Sequence, residues 1–460
     1  MLSLLIPILI TLMPPDSLIY PRKADTAAEL ELVISPPKNV SLPVQYRIDW
    51  GDGDTLDWTE PTGSMTPIFR SHRYRTPGKY SIRVMARDRI GTTSAWSRGC
   101  SVEVVPSLLK WYAPTLEPVV AAPALDEYGN VYIGDESGTL YSFNPAGVLR
   151  WTFQTRQPVF GGVTIERGLV FLPSLDSCLY CLDTAGNLKW SVNVGDEIWT
   201  PPAIGTDLNL YLTTDHGKLV SIDPGGKIRW QVKLGDEAAA APTIGPDGNL
   251  YVSADSLYCF TTRGKRRWAF GTPDNSYFFA APVLDRQGLI YAGSFDGYVY
   301  CLGKDGRLVW RAPVPDEDEI RTELVFSPDN RLYLGTDGYY LCVLEPGSPV
   351  RIVYETDDAV ISTPAISTRG TVYLLSDDGF LYAFTREGTI LFRAEVAAGD
   401  KDLYYTSSPA IGPDGTVYVG SWDGGLFAFY GDAPPADTPW PQFRSCPQHT
   451  GRVNGKQRRR

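Results

Sequence analysis

A motif that returns about every 40 residues constrains the fold of this chain more than any other feature. Each copy passes through a strand with tyrosine and an Asp-Gly turn, and ends after a further glycine turn in a strand that usually carries tryptophan. The copies open at Pro123, Val163, Pro202, Pro242, Pro282, Leu324, Pro364 and Pro409. Four short strands at this period make one blade of a β-propeller, so the repeat predicts eight blades over residues 106–431.

Within this region the copies outnumber their closing strands. Seven of the eight copies are followed by such a strand, which carries Trp151, Trp190, Trp230, Trp268, Trp310, Ile352 and Phe392. The eighth copy ends at Phe429 and Tyr430, whereas a strand of the same type with Trp111 precedes the first copy. Because pairing these two ends removes a free sheet edge, we expect the N-terminal strand to complete the last blade.

Composition excludes several function classes. The chain has 460 residues and a net charge of −11, which argues against a nucleic-acid binder, although Lys456 and Arg458–Arg460 form a basic run. No apolar run reaches the length of about 20 residues that a membrane-spanning helix needs. The three histidines, His72, His216 and His449, lie in unrelated segments, which argues against a histidine zinc site or a Ser/His/Asp triad.

The N-terminus begins with an apolar run, Leu2–Met13, that ends at two prolines. Its length is that of the central region of a signal peptide, so residues 1–15 are a candidate leader, and a periplasmic or extracellular location is expected. A truncated leader and a buried first strand remain alternatives, because no basic residue precedes the run.

Residues 16–105 alternate apolar and polar side chains in short runs, which predicts a small β-sandwich. The turn Asp49-Trp50-Gly51-Asp52-Gly53, followed by Ser71-His72-Arg73-Tyr74 and Gly78-Lys79-Tyr80-Ser81-Ile82-Arg83-Val84, resembles the PKD (polycystic kidney disease) domain, which has an immunoglobulin-like fold. The resemblance implies an extracellular spacer or adhesion module without catalysis. Asp52 and Asp54 are expected to shape the turn, with a calcium site as the alternative.

The repeats themselves resemble a second family. The run Tyr418–Phe429, the ending at Gly226–Trp230 and the terminal segments Pro439–Arg444 and Gln448–Gly451 are similar to the PQQ-like (pyrroloquinoline-quinone-like) propeller repeat and to a segment that often accompanies it. The family includes both quinoprotein dehydrogenases and non-catalytic scaffolds, so the resemblance implies the fold more than the function. Residues 432–460 are a C-terminal extension.

The first strands of the predicted blades would line a central channel, and a quinoprotein cofactor site in that channel is the alternative interpretation. Such a site needs a calcium ligand set and a carboxylate base, and the inner strands here begin almost entirely with small residues. Arg321 and Glu323 are the exception, and alternation aims both the same way, either as a structural ion pair or as a cofactor site. The sequence therefore predicts no catalytic residue and no cofactor; PQQ and calcium belong only to the alternative, and no metal ligands are assigned.

One face of the predicted propeller is acidic and carries aromatic residues. The interblade loops and the Asp-Gly turns lie on the same face of a blade, and both are rich in aspartate and glutamate. The candidate contact residues are Trp199, Tyr277, Phe278, Asp316, Glu317, Asp318, Glu319, Tyr404 and Tyr405. We interpret the chain as a non-enzymatic binding or scaffold protein whose acidic face takes a protein or glycan partner, or divalent cations. Turn formation and solubility are the alternative reason for the acids, and a glycan-active enzyme is ranked last.

Overall fold

The computed structural model describes residues 17–19, 23–25, 30–37, 42–63, 67–105, 107–235, 240–397 and 406–453. The chain forms two compact units, one of residues 1–108 with 389–394 and the other of residues 109–388 with 395–460. The candidate leader, residues 1–15, lies outside the described residues. Within the described ranges, no helix has the length and apolar character required to cross a membrane.

The first unit consists of two β-sheets around a shared core. Its strands are β1 (Ser17–Ile19), β2 (Lys23–Asp25), β3 (Leu30–Ser35), β4 (Gln45–Asp49), β5 (Thr55–Leu56), β6 (Ile68–His72), β7 (Gly78–Arg87) and β8 (Cys100–Val105). One sheet has the order β1-β3-β6 and the other the order β2-β8-β7-β4-β5. Alternate residues of β3, β4, β7 and β8, among them Leu32, Ile48 and Val84, are buried in one cluster. The alternation seen in the sequence therefore directs one face of each sheet into a common core.

The turn after β4 is held by its own side chains. Gly51 has a φ of 83°, a left-handed conformation that favours glycine. Asp52 accepts a hydrogen bond from the backbone N–H of Asp54 at 3.0 Å, and its second oxygen lies 2.8 Å from Nε2 of His72. The His72 ring in turn stacks on Trp50 at 4.7 Å between ring centroids. Both oxygens of Asp52 thus serve the local structure, as expected for turn chemistry.

Residues 109–430 form eight four-stranded sheets in which strands pair in succession. Seven sheets are continuous in sequence: β10 (Ala124–Leu125), β11 (Val131–Gly134), β12 (Thr139–Phe143), β13 (Leu149–Gln154); β14 (Thr164–Glu166), β15 (Leu169–Pro173), β16 (Cys178–Asp183), β17 (Leu188–Asn193); β18 (Ala203–Ile204), β19 (Leu210–Thr214), β20 (Lys218–Ile222), β21 (Ile228–Lys233); β22 (Thr243–Ile244), β23 (Leu250–Ser253), β24 (Leu257–Phe260), β25 (Arg266–Phe270); β26 (Val283–Leu284), β27 (Ile290–Gly293), β28 (Tyr298–Leu302), β29 (Leu308–Pro313); β30 (Val325–Phe326), β31 (Leu332–Gly335), β32 (Tyr340–Leu344), β33 (Arg351–Glu355); and β34 (Ala365–Ile366), β35 (Val372–Leu375), β36 (Phe380–Phe384), β37 (Ile390–Glu395). The eighth sheet contains β38 (Ala410–Ile411), β39 (Val417–Gly420), β40 (Leu426–Phe429) and, as its last strand, β9 (Leu109–Ala113).

The strand β9 is the N-terminal strand that the sequence assigned to the last repeat. It pairs antiparallel with β40, so that Trp111 stands opposite Ala428. The other tryptophans also stand opposite small residues, in the pairs Ser142↔Trp151, Cys181↔Trp190, Ser221↔Trp230, Cys259↔Trp268 and Cys301↔Trp310. The tryptophan across the sheet thus explains why this position admits only compact side chains, and the cysteines there are free thiols in packed strands.

Each of these tryptophans also contacts the next sheet. A Cβ atom added at Gly186 would lie 2.7 Å from the Trp151 ring, so only glycine, here at a φ of 88°, lets the turn rest on the indole. Trp111 makes the same contact with Gly147 of the first sheet, and its Nε1 donates to the carbonyl of Pro145 at 3.0 Å. Trp111 of the last sheet thus contacts the first sheet in the way that the other tryptophans contact the sheet after their own.

We expect Trp111→Ala to destabilise the second unit as much as Trp190→Ala, by about 2–3 kcal/mol each, because both indoles are partly buried and hold a neighbouring turn. Urea unfolding followed by circular dichroism measures both values. A cost for Trp111→Ala below about a third of that for Trp190→Ala would show that β9 is a passive edge strand.

The C-terminal extension crosses the second unit at one end of the first strands. We call the described part, residues 432–453, the strap. Its backbone accepts hydrogen bonds from the N–H groups of Leu125, Ile165, Ile204, Ile244, Phe326 and Ile366, and the side chain of Gln442 accepts one from Ile411. These donors come from seven of the eight sheets. The strap therefore lies across one end of the channel that the first strands enclose.

Candidate functional site

A small cavity opens at the end of the channel opposite the strap. Its walls are the small residues that begin the first strands, including Gly161, Ala241 and Ala281, and the strap contributes Phe443. The cavity volume is about 110 Å³. We call this space the mouth cavity. The repeats converge here, so side chains larger than alanine would fill the space that the first strands enclose.

Two stacked aromatic pairs stand at the mouth cavity. Phe160 and Trp199 stack with 5.2 Å between ring centroids, and Phe279 and Phe295 stack at 5.3 Å. Phe160, Trp199 and Phe279 line the cavity directly. A Cβ atom at Gly161 would lie 2.6 Å from the carbonyl oxygen of Trp199, so the glycine allows the two neighbouring segments to approach.

Arg321 is the cation of the mouth cavity. Its guanidinium carbon lies 5.7 Å from the ring centroid of Phe279 and 5.2 Å from that of Phe295. The same group forms ion pairs at 2.8 Å with Glu319 and at 2.8 Å with Asp337. Arg321 is thus neutralised by two carboxylates and held by two rings, which leaves it poorly suited to bind an anionic ligand.

Glu323 also lines the cavity, but its partners come from the strap. It accepts hydrogen bonds from Nε1 of Trp440 at 2.7 Å and from the backbone N–H of Arg444 at 2.9 Å. Nη1 of the fully buried Arg444 lies 3.8 Å from its other oxygen. Burial raises the pKa of Glu323, and the Arg444 charge and the two N–H donors oppose that rise. The predicted ion pair between Arg321 and Glu323 is wrong, because each residue has other charged partners that alternation along one strand could not reveal.

The acidic segment 316–319 overlaps a 3-10 turn, Pro315–Glu317, at the edge of the mouth. Asp316 and Glu317 are exposed, and they accept hydrogen bonds from the hydroxyls of Tyr340 at 3.3 Å and Tyr298 at 3.0 Å. A Cβ atom at Gly297 would lie 2.3 Å from the Glu317 backbone. Glycine at that turn therefore admits the segment, which keeps two carboxylates in solvent beside the mouth.

Phe295, Asp337 and Asp377 occupy equivalent positions in three successive sheets, near the mouth. The backbone N–H groups of Phe295, Asp337 and Asp377 donate in the same way to the preceding interblade loop, at 3.0, 3.1 and 3.0 Å. Asp337 precedes a glycine in the sequence, as Asp296 does in the preceding sheet. It nonetheless occupies the position of Phe295, one residue earlier, which directs it to Arg321.

The carboxylates of the mouth outnumber its cation, and their pKa values reflect this. Burial, reinforced by the charges of Asp358, Asp337 and Asp378, raises the pKa of Asp377 to about 7, although Thr406 donates a hydrogen bond to it. Burial likewise raises the pKa of Asp318 and, despite Arg321, that of Asp337. Burial and neighbouring carboxylates therefore disfavour the ionised form of these three groups.

Asp377→Asn should stabilise the protein more at pH 8 than at pH 5, by about 2 kcal/mol. The folded protein binds the extra proton between the ordinary aspartate pKa and the raised pKa of about 7, so wild-type stability falls as pH rises through this window. Asparagine stays neutral and still accepts the Thr406 hydrogen bond. Urea unfolding at both pH values tests this, and equal effects of the substitution at pH 5 and pH 8 would contradict it.

The structure separates the predicted contact residues into three groups. Trp199 lines the cavity, and Tyr277 is 40% exposed beside it. Phe278 was predicted to lie on the surface, which is wrong: it is 1% exposed and packs in the core on Tyr300. Tyr404 and Tyr405 lie outside the described residues.

Part of the predicted acidic face is structural. The turn acids Asp176 and Asp378 accept hydrogen bonds from Tyr180 at 2.6 Å and Tyr382 at 2.5 Å, and Asp296 accepts one from Tyr300. These carboxylates fix the third strand of their own sheets. The exposed acids of the segment 316–319 are the ones left for a partner.

The residues present do not fit a quinone cofactor held with calcium. Ligand pockets usually have about 300–1,000 Å³, well above the 110 Å³ of the mouth cavity. Over the described part of the chain, no group of three or more His, Cys, Asp or Glu side chains is arranged to hold a metal ion. Arg321 and Glu323, the two charged residues that line the cavity, are already engaged with protein groups.

Solved structures share this fold. The chain is similar to BamB from Moraxella catarrhalis, with a TM-score of 0.59 and 15% identity over 70% of this chain and 99% of that one. It is also similar to the computationally designed Ika8 protein (TM-score 0.59, 16% identity, 70% of this chain and 100% of that one) and to Saccharomyces cerevisiae Sqt1 (TM-score 0.60, 12% identity, 71% and 99%). At these identities the likeness shows the fold alone.

Sequence comparison identifies the family. No curated protein matches the sequence of this chain. The family described as "Outer membrane protein assembly factor BamB" matches residues 81–268, 179–325 and 295–432. These segments together cover well over half of the chain, so the protein belongs to the BamB family of β-propellers with PQQ-like repeats.

Proposed function

We propose that the protein is an exported, non-enzymatic scaffold of the outer membrane assembly machinery, and that it binds a protein partner at the acidic mouth of its propeller. In this proposal the eight sheets are the blades of one closed ring, and the first unit is a PKD-like spacer. The family description supports the role in assembly. A protein partner is favoured over a glycan for the same reason.

The observation that carries the proposal is the composition of the mouth. The interblade loops carry the exposed carboxylates of Asp316 and Glu317, the exposed Tyr277, and Trp199, which lines the cavity; the cavity itself is too small for a typical cofactor. Aromatic side chains bordered by charges are the usual anchors of protein interfaces. A catalytic role would instead need a positioned acid, base or nucleophile facing a substrate-sized pocket.

The test is cross-linking in cells that express the tagged protein, followed by mass spectrometry. The variant Asp316→Lys with Glu317→Lys and Trp199→Ala should recover the principal partner at least about tenfold less than the wild type, because it reverses charge and removes an anchor. The control is Lys304→Glu with Arg307→Glu, two exposed residues in a turn at the opposite end of a blade. All three proteins are compared by thermal unfolding, so that a loss of fold is not read as a loss of binding.

Two results would overturn the proposal. The first is equal partner recovery by the mouth variant and the control. The second is saturable, calcium-dependent quenching of tryptophan fluorescence by PQQ with substrate turnover, which would support the quinoprotein alternative and direct attention to Arg321 and Glu323.

A further inference from the structure

We propose that the mouth cavity receives one basic side chain, a lysine or an arginine, of a polypeptide partner. This inference deepens the proposed function, on which it rests for the identity of the partner as a protein. It concerns a single side chain and a single cavity, so it is tested separately from capture of the whole partner.

The size of the cavity fits a side chain. Its volume of about 110 Å³ is well below the roughly 300–1,000 Å³ of pockets that bind whole small molecules. The strap lies across the far end of the channel, with Phe443 lining the cavity, so a ligand would enter from the mouth. Walls of Ala241 and Ala281 suit the aliphatic stem of a long side chain, whose charged end stays near polar groups.

The lining shows how a guanidinium is accommodated at this place. Arg321 lies over Phe279 and Phe295 while two carboxylates neutralise it. The second stacked pair, Phe160 and Trp199, offers aromatic surface of the same kind, and tryptophan gives the strongest attraction for a cation. The aromatic part of the setting that holds the protein's own arginine is thus present a second time at the mouth.

Charge decides between a basic, a neutral and an acidic side chain. The acidic groups that the described residues bring together around Arg321 include Asp316, Asp318, Glu319, Asp337, Asp358 and Asp377. In this described part of the mouth, six carboxyl groups lie near one guanidinium, and burial together with neighbouring carboxylates raises the pKa values of Asp318, Asp337 and Asp377. A partner's cation would relieve that repulsion, whereas an anion would add to it.

The test is ¹⁹F NMR of the full chain labelled with 5-fluorotryptophan. Trp199→Phe identifies the resonance of Trp199. The probes are the capped tripeptide Gly-Arg-Gly and its citrulline counterpart, which has nearly the same shape without the charge. We expect the arginine peptide to shift the Trp199 resonance saturably at low millimolar concentration, and the citrulline peptide to shift it at least about tenfold more weakly.

A variant that fills the cavity provides the second arm. Ala241→Leu should abolish the shift, because leucine occupies the space of the incoming stem, whereas Asp305→Asn at a remote exposed turn should leave the shift unchanged. Comparing the two peptides on the wild-type protein needs no variant, so it decides the question even if Ala241→Leu does not fold. Equal shifts with both peptides, or no shift at about 10 mM of either, would overturn the inference.

The two proposals fail in different ways. A peptide shift without partner capture would overturn the proposed function and leave the basic-side-chain site in place. Partner capture without a peptide shift would overturn the site alone.

Discussion

Replacing Arg444 by methionine should lower the free energy of unfolding of the second unit by about 3–5 kcal/mol. Arg444 is fully buried and is the charged partner of Glu323, which is itself 3% exposed. Without the guanidinium, the Glu323 carboxylate stays buried and uncompensated, and such a charge costs more than the pair contributed. Urea unfolding followed by tryptophan fluorescence measures the loss.

The double variant Glu323→Gln with Arg444→Met is the control for this argument. The amide oxygen of glutamine still accepts the hydrogen bond from Trp440, and no buried charge remains. We expect it to recover at least about half of the stability lost in Arg444→Met. If the double variant is less stable than Arg444→Met, the loss comes from packing rather than from the uncompensated charge.

Removing the strap by ending the chain after Gly431 should have the largest effect, a loss of more than about 5 kcal/mol. The deletion removes backbone acceptors for six of the first strands and the fully buried Trp440, and burial of one tryptophan is alone worth about 3–5 kcal/mol. The deletion also opens the far end of the channel. Differential scanning calorimetry should show a fall of at least about 10 °C in Tm.

Retaining part of the strap distinguishes its contributions. A chain that ends after Cys446 keeps Trp440 and Arg444 but loses the acceptors of Leu125, Ile165, Ile204 and Ile244. We expect it to be intermediate in stability between the wild type and the shorter chain. A Tm within about 2 °C of the wild type after the full deletion would show that the eight sheets are stable without the strap.

The sheets were predictable because their signals are local. The Asp-Gly and glycine turns, the tyrosine strands and the tryptophan strands recur at a fixed period, and the missing closing strand pointed to Trp111. The role of the strap was not predictable in the same way. Its backbone acceptors contact strands up to about 320 residues earlier, as for Leu125 and Pro447, and hydrogen bonds to a backbone leave no residue-specific pattern in the sequence.

The mouth was predictable only in part. The sequence predicted its acidic character and the presence of Trp199, since interblade loops meet on one face. Phe278 is buried whereas its neighbour Phe279 is partly exposed, because successive side chains of a loop face different sides. In a loop this alternation follows no fixed period. The shift of Asp337 to the position of Phe295 could have been found by aligning the copies at the third-strand residue opposite the second-strand tyrosine, Cys301 opposite Tyr291 and Val343 opposite Tyr333, because that alignment places Asp337 one residue before the turn.

The central claim, that a partner protein binds at the mouth, is tested most directly by site-specific photo-cross-linking in cells. A benzophenone amino acid is placed at Tyr277 beside the mouth, or at Leu308 at the other end of a neighbouring sheet, two positions with similar exposures of 40% and 46%. The account predicts a discrete cross-linked protein from Tyr277 that disappears with Asp316→Lys and Glu317→Lys, and none from Leu308. The same product from both positions, or a product from Leu308 alone, would contradict it.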